Sequence, residues 1–377
     1  MTKASSAPVH PPLRIALVAF DLPGDVRSPV AHAVRLAQAL TDLGAEAHVF
    51  ANATGAYPRL HRLAVPAPSD QPVAAARALC AAAAEHLGRA TQEGGAFRAL
   101  HAIQWSAVPA VLAAARRGES LRVATLLDTV FSRHEGVNSS AEIAHVRRLE
   151  QQAVDACDVV LAGSEPVRQE LAWLYGRSAA HTFVSHADAV ETGPAPAPGA
   201  DRCVAFAGTW DASGGADLFL DTARLLAAAD EDWRFAVPAG AVSKTKLEVD
   251  LRRRGAPGLA DRFAVAESEE AALSSAALAL IPARDARRAD AVFRAWRAAR
   301  PVVVTRTGPH HDVEEGRDGH RAFPFARSLA DAVLAATADA SRLRACGAAG
   351  RLKLENQCTW PAVATKLLAI YRHAGGL

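Results

Sequence analysis

The chain of 377 residues contains no stretch approaching the roughly 18 apolar residues that a membrane-spanning helix needs; Ala81 to Ala84 is short and merely alanine-rich. Its opening stretch, MTKASSAPVHPP, is polar and proline-rich and has no apolar core of the kind a secretory signal carries. Cysteine is sparse: Cys80, Cys157, Cys203, Cys346 and Cys358 lie far apart without Cys-x-x-Cys spacing. That excludes a disulfide framework and a zinc finger, and predicts buried free thiols in a reducing cytosol. No block of like charge interrupts a net charge of +2, which excludes nucleic acid as the principal partner, since phosphate neutralisation requires a basic stripe. Walker-type glycine spacing, Gly-x-Ser-x-Gly and a Ser-His-Asp arrangement are all missing. There is a single methionine beside heavy alanine and arginine usage; this reflects a GC-rich, bacterial type of coding rather than a function.

What is present is an ordinary globular composition, half apolar and 22% charged, long enough for two domains of about 100–200 residues each. The most informative stretch is ALALIPARDARRADAVFRAWRAARPVVVTRTG, from Ala277 to Gly308. It reads as a short apolar strand, a turn after Pro282, an amphipathic helix and a second strand from Pro301 to Thr305. A buried parallel strand is a near-continuous apolar run, and the Val302-Val303-Val304 triplet is β-branched. Strand, helix and strand of this length make one right-handed crossover.

The first half has the same grammar. LRIALVAF (Leu13 to Phe20) predicts a buried strand, followed by a Pro-Gly loop and a helix from Pro29 capped by Ser28 and ended by Gly44. Strands are expected at Ala45–Phe50, Ala99–Ile103, Leu121–Leu127 and Cys157–Ala162, with helices over Val73–Arg89, Val108–Arg117 and Ile143–Ala156. Ser164 is expected to cap a further helix. GPAPAPG, from Gly193 to Gly199, is a semi-rigid linker by composition. Beyond it, strands are expected at Cys203–Ala207, Trp233–Val237 and Leu259–Ala266, and helices at Ala216–Ala228, Ser328–Ala336 and Ala340–Lys353, with a last helix running to Tyr371.

In several places the chain resembles the retaining GT-B glycosyltransferases. The Pro-Val-Val of Pro301 to Val303 after an alanine-rich helix is one. Another is the spacing of Glu150, Asp158 and Ser164, and a third is Gly208 with Gly215 around a strand-to-helix turn. Thr359-Trp360 before the final helix is the fourth. The resemblance implies a GT-B fold of two Rossmann-like domains facing each other across a cleft. It divides the chain into a disordered tail at 1–12, an acceptor domain at 13–192, a linker at 193–200, a donor-nucleotide domain at 201–360, and a terminal helix at 361–377 that crosses back to the first domain.

It also implies a site. Where the family has a histidine before Asp128 this chain has Leu127; Asp128 remains as a catalytic candidate, although an aspartate after a strand serves equally as a cap or turn residue. Gly24 either admits a donor phosphate or the acceptor, or is a turn glycine. For the donor diphosphate the resemblance points to the loop positions Gly208, Thr209, Gly215 and Gly308; apart from the resemblance, Arg284, Arg288 and Arg294 cluster around the turn after Pro282 and the helix that follows, as cations for a phosphate. Solvated surface arginines would read the same way. The family's arginine and lysine at this loop are replaced by Thr209 and Gly214, and its two glutamates, with seven residues between them, by Ala286 and Arg294. Each lost charge-assisted hydrogen bond would cost about 1.5–3 kcal/mol, or two to four orders of magnitude in affinity for the pair. Arginine donates only, so Arg294 cannot take over a glutamate's acceptance from a ribose. His310-His311-Asp312 is not expected to bind a metal, because adjacent histidines on a loop point apart.

The expected activity is transfer of a sugar from a UDP- or GDP-linked donor to a glycan, lipid-linked or small-molecule acceptor, with retention and without a cofactor. The alternative is a catalytically silent paralogue that serves as partner or scaffold of an active glycosyltransferase. The expected location is cytoplasmic, with peripheral contact at the inner face of a membrane left open.

Overall fold

The computed structural model describes residues 12–23, 25, 28–53, 56–64, 72–115, 119–133, 140–177, 182–184, 193–194, 196–197, 199–284, 289–308 and 310–374. The chain divides into two compact units, the first Met1–Ala187 with Trp360–Leu377, the second Asp188–Thr359. Of the expected linker, 195 and 198 fall outside the described residues, as do 1–11 of the tail and the whole of 185–192.

The first unit runs β1 (Arg14–Ala19), α1 (Pro29–Asp42), β2 (Glu46–Ala51), β3 (Leu60–Arg62), α2 (Pro72–Gly94), β4 (Ala99–Ile103), a 3-10 turn (Trp105–Ala107), α3 (Val108–Ala114), β5 (Leu121–Leu126), α4 (Val130–Arg133), α5 (Ala141–Ala156), β6 (Val159–Ala162), α6 (Glu165–Tyr175) and β7 (Thr182–Val184). Its seven strands lie in the order β3-β2-β1-β4-β5-β6-β7 and every pair is parallel. Helices return the chain between parallel strands and cover the sheet, so central strands become apolar throughout: Ile15 to Ala19 is fully buried. Ser28 caps α1 by accepting from the Ala31 amide at 2.9 Å, and Ser140 caps α5 from the Ile143 amide at 3.1 Å. Ser164 occupies the cap position of α6 but accepts no cap hydrogen bond. Glu165 supplies negative charge to that first turn instead, itself held by Arg168 Nε at 2.7 Å.

The second unit runs β8 (Ala200–Phe206), α7 (Ala216–Ala229), β9 (Arg234–Pro238), α8 (Lys244–Arg253), a 3-10 turn (Pro257–Arg262), β10 (Phe263–Ala266), α9 (Glu269–Ser275), β11 (Ala276–Ile281), α10 (Ala289–Arg297), β12 (Val302–Thr305), β13 (Gly319–Ala322), α11 (Ala326–Thr337) and α12 (Ala340–Gln357). Its six parallel strands lie in the order β10-β9-β8-β11-β12-β13. Two expectations are corrected here. The strand expected over Leu259–Ala266 is only Phe263–Ala266, because Pro257-Gly258 opens a 3-10 turn that takes up the preceding residues. Gly319, expected to close a loop, begins an edge strand; a Cβ there would sit 2.5 Å from Val302 Cγ2, so only glycine lets β13 approach β12.

The last helix, α13 (Trp360–Ala374), groups with the first unit. Tyr371 Oη lies 2.6 Å from His101 Nδ1, and His101 Nε2 lies 2.7 Å from Thr125 Oγ1. Burial pushes His101 down to about 3, so the imidazole is neutral. This polar chain through an apolar interior fixes where α13 lies on the sheet.

Candidate functional site

In each sheet the strand order reverses once, between β1 and β4 in the first unit and between β8 and β11 in the second. Open parallel sheets take ligands at the carboxyl ends of the strands beside such a reversal, because the flanking connections leave on opposite faces and part there.

In the second unit the turns at this point are built by glycine. Gly208 follows β8 with φ +149°, and Gly215 is the N-cap of α7 with φ +76°. A Cβ on Gly214 would meet the Thr209 carbonyl oxygen at 2.0 Å; on Gly215, the Pro282 oxygen at 2.1 Å; on Gly308, the Ala283 oxygen at 2.4 Å. The loops after β8 and β12 therefore press onto Pro282–Ala283 after β11, and Gly208, Thr209, Gly215 and Gly308 are brought together. Arg284 joins them as a clamp. Its backbone N–H donates to the Ser213 carbonyl at 2.7 Å, and its guanidinium meets both oxygens of Asp217 at 2.7 Å each. Asp217 lies in the first turn of α7, and Asp211 Oδ1 accepts from the Gly214 amide at 2.7 Å. Arg284 holds the Asp217 carboxyl below its usual range, and the Gly214 amide with the Ser213 hydroxyl does the same for Asp211. The positive end of α7, where a phosphate would be favoured, is thus occupied by carboxylates of the chain itself.

Arg294 is held elsewhere. It pairs with Glu269 of α9 at 2.8 Å and with Asp290 at 2.6 Å. With Glu269, Arg297, Gly193, Pro194 and Pro196 it lines a cavity of about 270 Å³. Gly24, Arg288 and Ala286 lie outside the described residues. The expectation that His310 and His311 point apart is corrected: their rings lie 4.1 Å apart between centroids, tilted by 31°, with the His310 ring held by Nδ1 donating to the Gly308 carbonyl at 2.9 Å. Among the described residues no group of three or more His, Cys, Asp or Glu could hold a metal ion.

The reversal in the first unit is different. A cavity of about 280 Å³ opens there, lined by Leu22, Asp25, Trp105, Val130, Arg133 and Ile143 among others. Asp128, the catalytic candidate, follows β5 beside it and accepts from Gln104 Nε2 at 2.5 Å. Arg133 lies 3.0 Å from Asp128, 3.5 Å from Glu150 and 3.9 Å from Asp25. Its Nε contact to Asp128 is close but misses hydrogen-bond geometry. One guanidinium therefore serves three carboxylates. Glu150 is fully buried and accepts from the Val130 amide at 2.8 Å and from Tyr175 Oη. Burial pushes it up to about 7, and pushes Asp25 up to about 6, with Asp128 and Asp21 adding to the rise.

Sequence reasoning missed most of this cluster. Glu150 read as a builder of structure, and Asp25, Arg133 and Trp105 carried no motif. Gln104 has φ +74° and ψ 161° while only 3% exposed, a conformation that is otherwise essentially glycine's. Its side chain, held by Asp128, and its amide, bonded to the Thr125 carbonyl at 2.7 Å, keep the chain turning sharply into Trp105.

Two parallel sheets covered by helices, one in each unit, are the GT-B architecture of glycosyltransferases. Residues 30–186 match the family model described as Glycosyltransferase Family 4. No curated protein matches the chain by sequence. Among solved structures it is similar to sucrose-phosphate synthase of Thermosynechococcus elongatus, with 17% identity, a TM-score of 0.63, and 95% of this chain and 98% of that one covered. HepE of Anabaena in complex with UDP and glucose gives 14%, 0.62, 95% and 99%. A glycosyltransferase of Rickettsia africae gives 12%, 0.65, 97% and 99%. The chain has the GT-B fold, and the stretch that matches the Family 4 model lies in its first unit. Among the described residues no helix is long and apolar enough to cross a membrane.

Proposed function

We propose that this protein is a glycosyltransferase that moves a sugar from a nucleotide-sugar, UDP-linked or GDP-linked, to a hydroxyl of a glycan, lipid-linked or small-molecule acceptor, with retention. The observation that carries the reading is the meeting of Gly208, Thr209, Gly215 and Gly308 around the start of α7 at the second unit's strand reversal. Side-chain-free turns let backbone N–H groups approach a diphosphate. The structure of HepE with UDP-glucose, at 15% identity, makes UDP the first nucleotide to try. In this reading Arg284 exchanges Asp217 for a donor phosphate; Arg294, expected as a further cation, is paired with Glu269 and Asp290, and Arg288 lies outside the described residues. The acceptor belongs to the first unit, where Asp128 and its neighbours line or border the cavity. Retention is supported by the chain's resemblance to retaining enzymes, and a peripheral membrane location by the lipid-linked acceptors such enzymes serve. The comparisons name enzymes, so a silent partner subunit gains no support from them.

The test is a thermal-shift panel of UDP-, GDP- and ADP-sugars, followed by donor turnover with the best binder. Stabilisation of several degrees by one donor and release of its nucleotide are the expected results; the proton coupling at the anomeric carbon of the product reads retention. No shift and no release at millimolar concentration would overturn the reading.

A further inference from the structure

The strand-reversal cavity of the first unit has a composition that selects among acceptors. At about 280 Å³ it lies just below the roughly 300–1,000 Å³ range of ligand sites, with room for one ring and not for a chain. Leu22, Pro23, Pro72, Val130, Ile143 and Val146 give it apolar walls. Its polar lining is Asp25, Arg133, Ser140, Glu142 and the Trp105 indole, with Ser140 Oγ already taken as the cap of α5. Asp25, with 11% of its side chain exposed, has Oδ2 bonded to the Leu22 amide at 2.9 Å, while among the described residues the cation nearest Oδ1 is Arg133, at 3.9 Å. Trp105 lines the same cavity, 2% exposed, and its buried indole N–H has no hydrogen-bond partner. Arg133 stands over the Trp105 ring at 5.9 Å and is divided among three carboxylates. The balance of fixed charge is therefore negative. Among the described residues a phosphate or carboxylate entering here would meet no unshared cation, whereas a hydroxyl can donate to Asp25 Oδ1 and accept from the indole.

We propose that this cavity binds an uncharged, ring-sized polyol as the acceptor-end sugar or cyclitol, with Asp25 and Trp105 as the residues that select it and exclude anionic acceptors. The inference rests on the glycosyl-transfer reading and specifies its acceptor. Asp25 acts by ligand choice, through its free oxygen and its negative surroundings. Gln104 acts as a positioning residue, since its glycine-like backbone sets Trp105 against the cavity.

Isothermal titration of the full-length protein, with and without saturating UDP, tests this with methyl α-glucoside as the neutral probe and glucose 6-phosphate as the anionic one. The expected result is binding of the glucoside at least tenfold tighter than the phosphate. Trp105→Phe, which removes the N–H and keeps a smaller aromatic ring, should weaken the glucoside about fivefold. Asp25→Asn should weaken it similarly while improving glucose 6-phosphate. Ile143→Trp, which fills the cavity from its partly exposed side, should abolish glucoside binding even where Trp105→Phe does not fold. Equal or tighter binding of glucose 6-phosphate by the wild-type protein, or glucoside binding unchanged by Ile143→Trp, would overturn the proposal. The UDP arm separates the two readings. UDP binding without glucoside binding overturns this inference alone, and glucoside binding without UDP binding supports it while removing the donor reading.

Discussion

At the strand reversal of the first unit, the ends of β1 and β4 leave a cavity of about 280 Å³ over a guanidinium shared by three carboxylates. At the equivalent reversal of the second unit, three glycines bring the turns after β8 and β12 against Pro282–Ala283, and Arg284 is fastened to Asp217 across them. The strand order is the same; the filling is opposite. In the first unit side chains with unmet charge surround open space. In the second, backbone meets backbone and the ionic groups satisfy each other. A ligand of the first unit enters a formed site, while an anion at the second must replace carboxylates the chain already supplies. This is where a chain without the family's loop arginine and lysine differs most from a preassembled diphosphate cradle.

The largest expected effect that tests this contrast is Arg133→Met. Removing the shared cation leaves Asp25, Asp128 and Glu150 facing one another in a buried setting, and breaking such an arrangement costs about 3–5 kcal/mol. The cost should be largest near pH 8 and shrink towards pH 5. Asp25 titrates at about 6 and Glu150 at about 7, so acid neutralises both. Denaturant unfolding at the two pH values measures this, and an equal loss at both would show that Arg133 stabilises by packing alone. In the second unit the matching test is Gly215→Ala. Its φ of +76° and a Cβ placed 2.1 Å from the Pro282 oxygen require the backbone to shift, at a cost of about 3 kcal/mol. By the same geometry Gly214→Lys, which restores the family's cation, should unfold this turn rather than bind phosphate, read as lost hydrogen-exchange protection in α7.

A smaller effect of opposite sign comes from Asp25→Asn. The folded state raises this carboxyl from 3.8 to about 6, so the native protein is most favoured while Asp25 is protonated, below pH 3.8, and loses stability as pH rises through about 6. The full linkage is about 3 kcal/mol. That net shift already contains the attraction of Arg133, so the variant is expected to gain up to about 3 kcal/mol at pH 8, a gain that vanishes near pH 4, checked by melting curves across that range. A variant less stable than wild type at pH 8 would place Asp25 among the groups that hold the fold rather than those held by it.

Legibility in the sequence followed burial. β1, β5, β11 and β12 are enclosed on both faces and read as apolar runs, so their existence and order were plain. β3 (LHR) and β13 (GHRA) are short edge strands with polar residues, indistinguishable from loops without their partners. α8 buries only Leu247 and Leu251 among charged neighbours, too narrow a stripe to announce a helix. Of the site, the glycines at 208, 215 and 308 were visible because a close backbone approach requires a residue type. The partner of Arg284 was not, since Asp217 lies 67 positions away and either residue alone looks like surface charge. The Asp25–Asp128–Glu150 group was hidden for a similar reason: its members come from the loop after β1, the turn after β5 and the middle of α5, and only the fold brings them to Arg133. Gln104 left no trace, because its strained backbone is imposed by neighbours rather than encoded by its type.

The smallest effect on stability, and the sharpest for the comparison, is expected from Asp217→Asn. The pair with Arg284 is about a third exposed on both sides, and such ion pairs contribute about 0.2–1 kcal/mol, so the variant should melt within a few degrees of wild type. Its effect on anions should be clearer. Asparagine frees the Arg284 guanidinium and removes a negative charge from the first turn of α7, where the helix already favours anions. Affinity for UDP should rise roughly fivefold, equivalent to about 1 kcal/mol, and Arg284→Met placed on top of Asp217→Asn should cancel the gain. A control at Asp221→Asn, whose carboxylate pairs with Arg254 at 2.6 Å, removes the same charge farther along α7 and should leave UDP affinity nearly unchanged. If Asp217→Asn binds UDP no better than wild type while the control also does nothing, the closure of the second unit is permanent rather than exchangeable. A donor phosphate would then have to be held by groups other than Arg284.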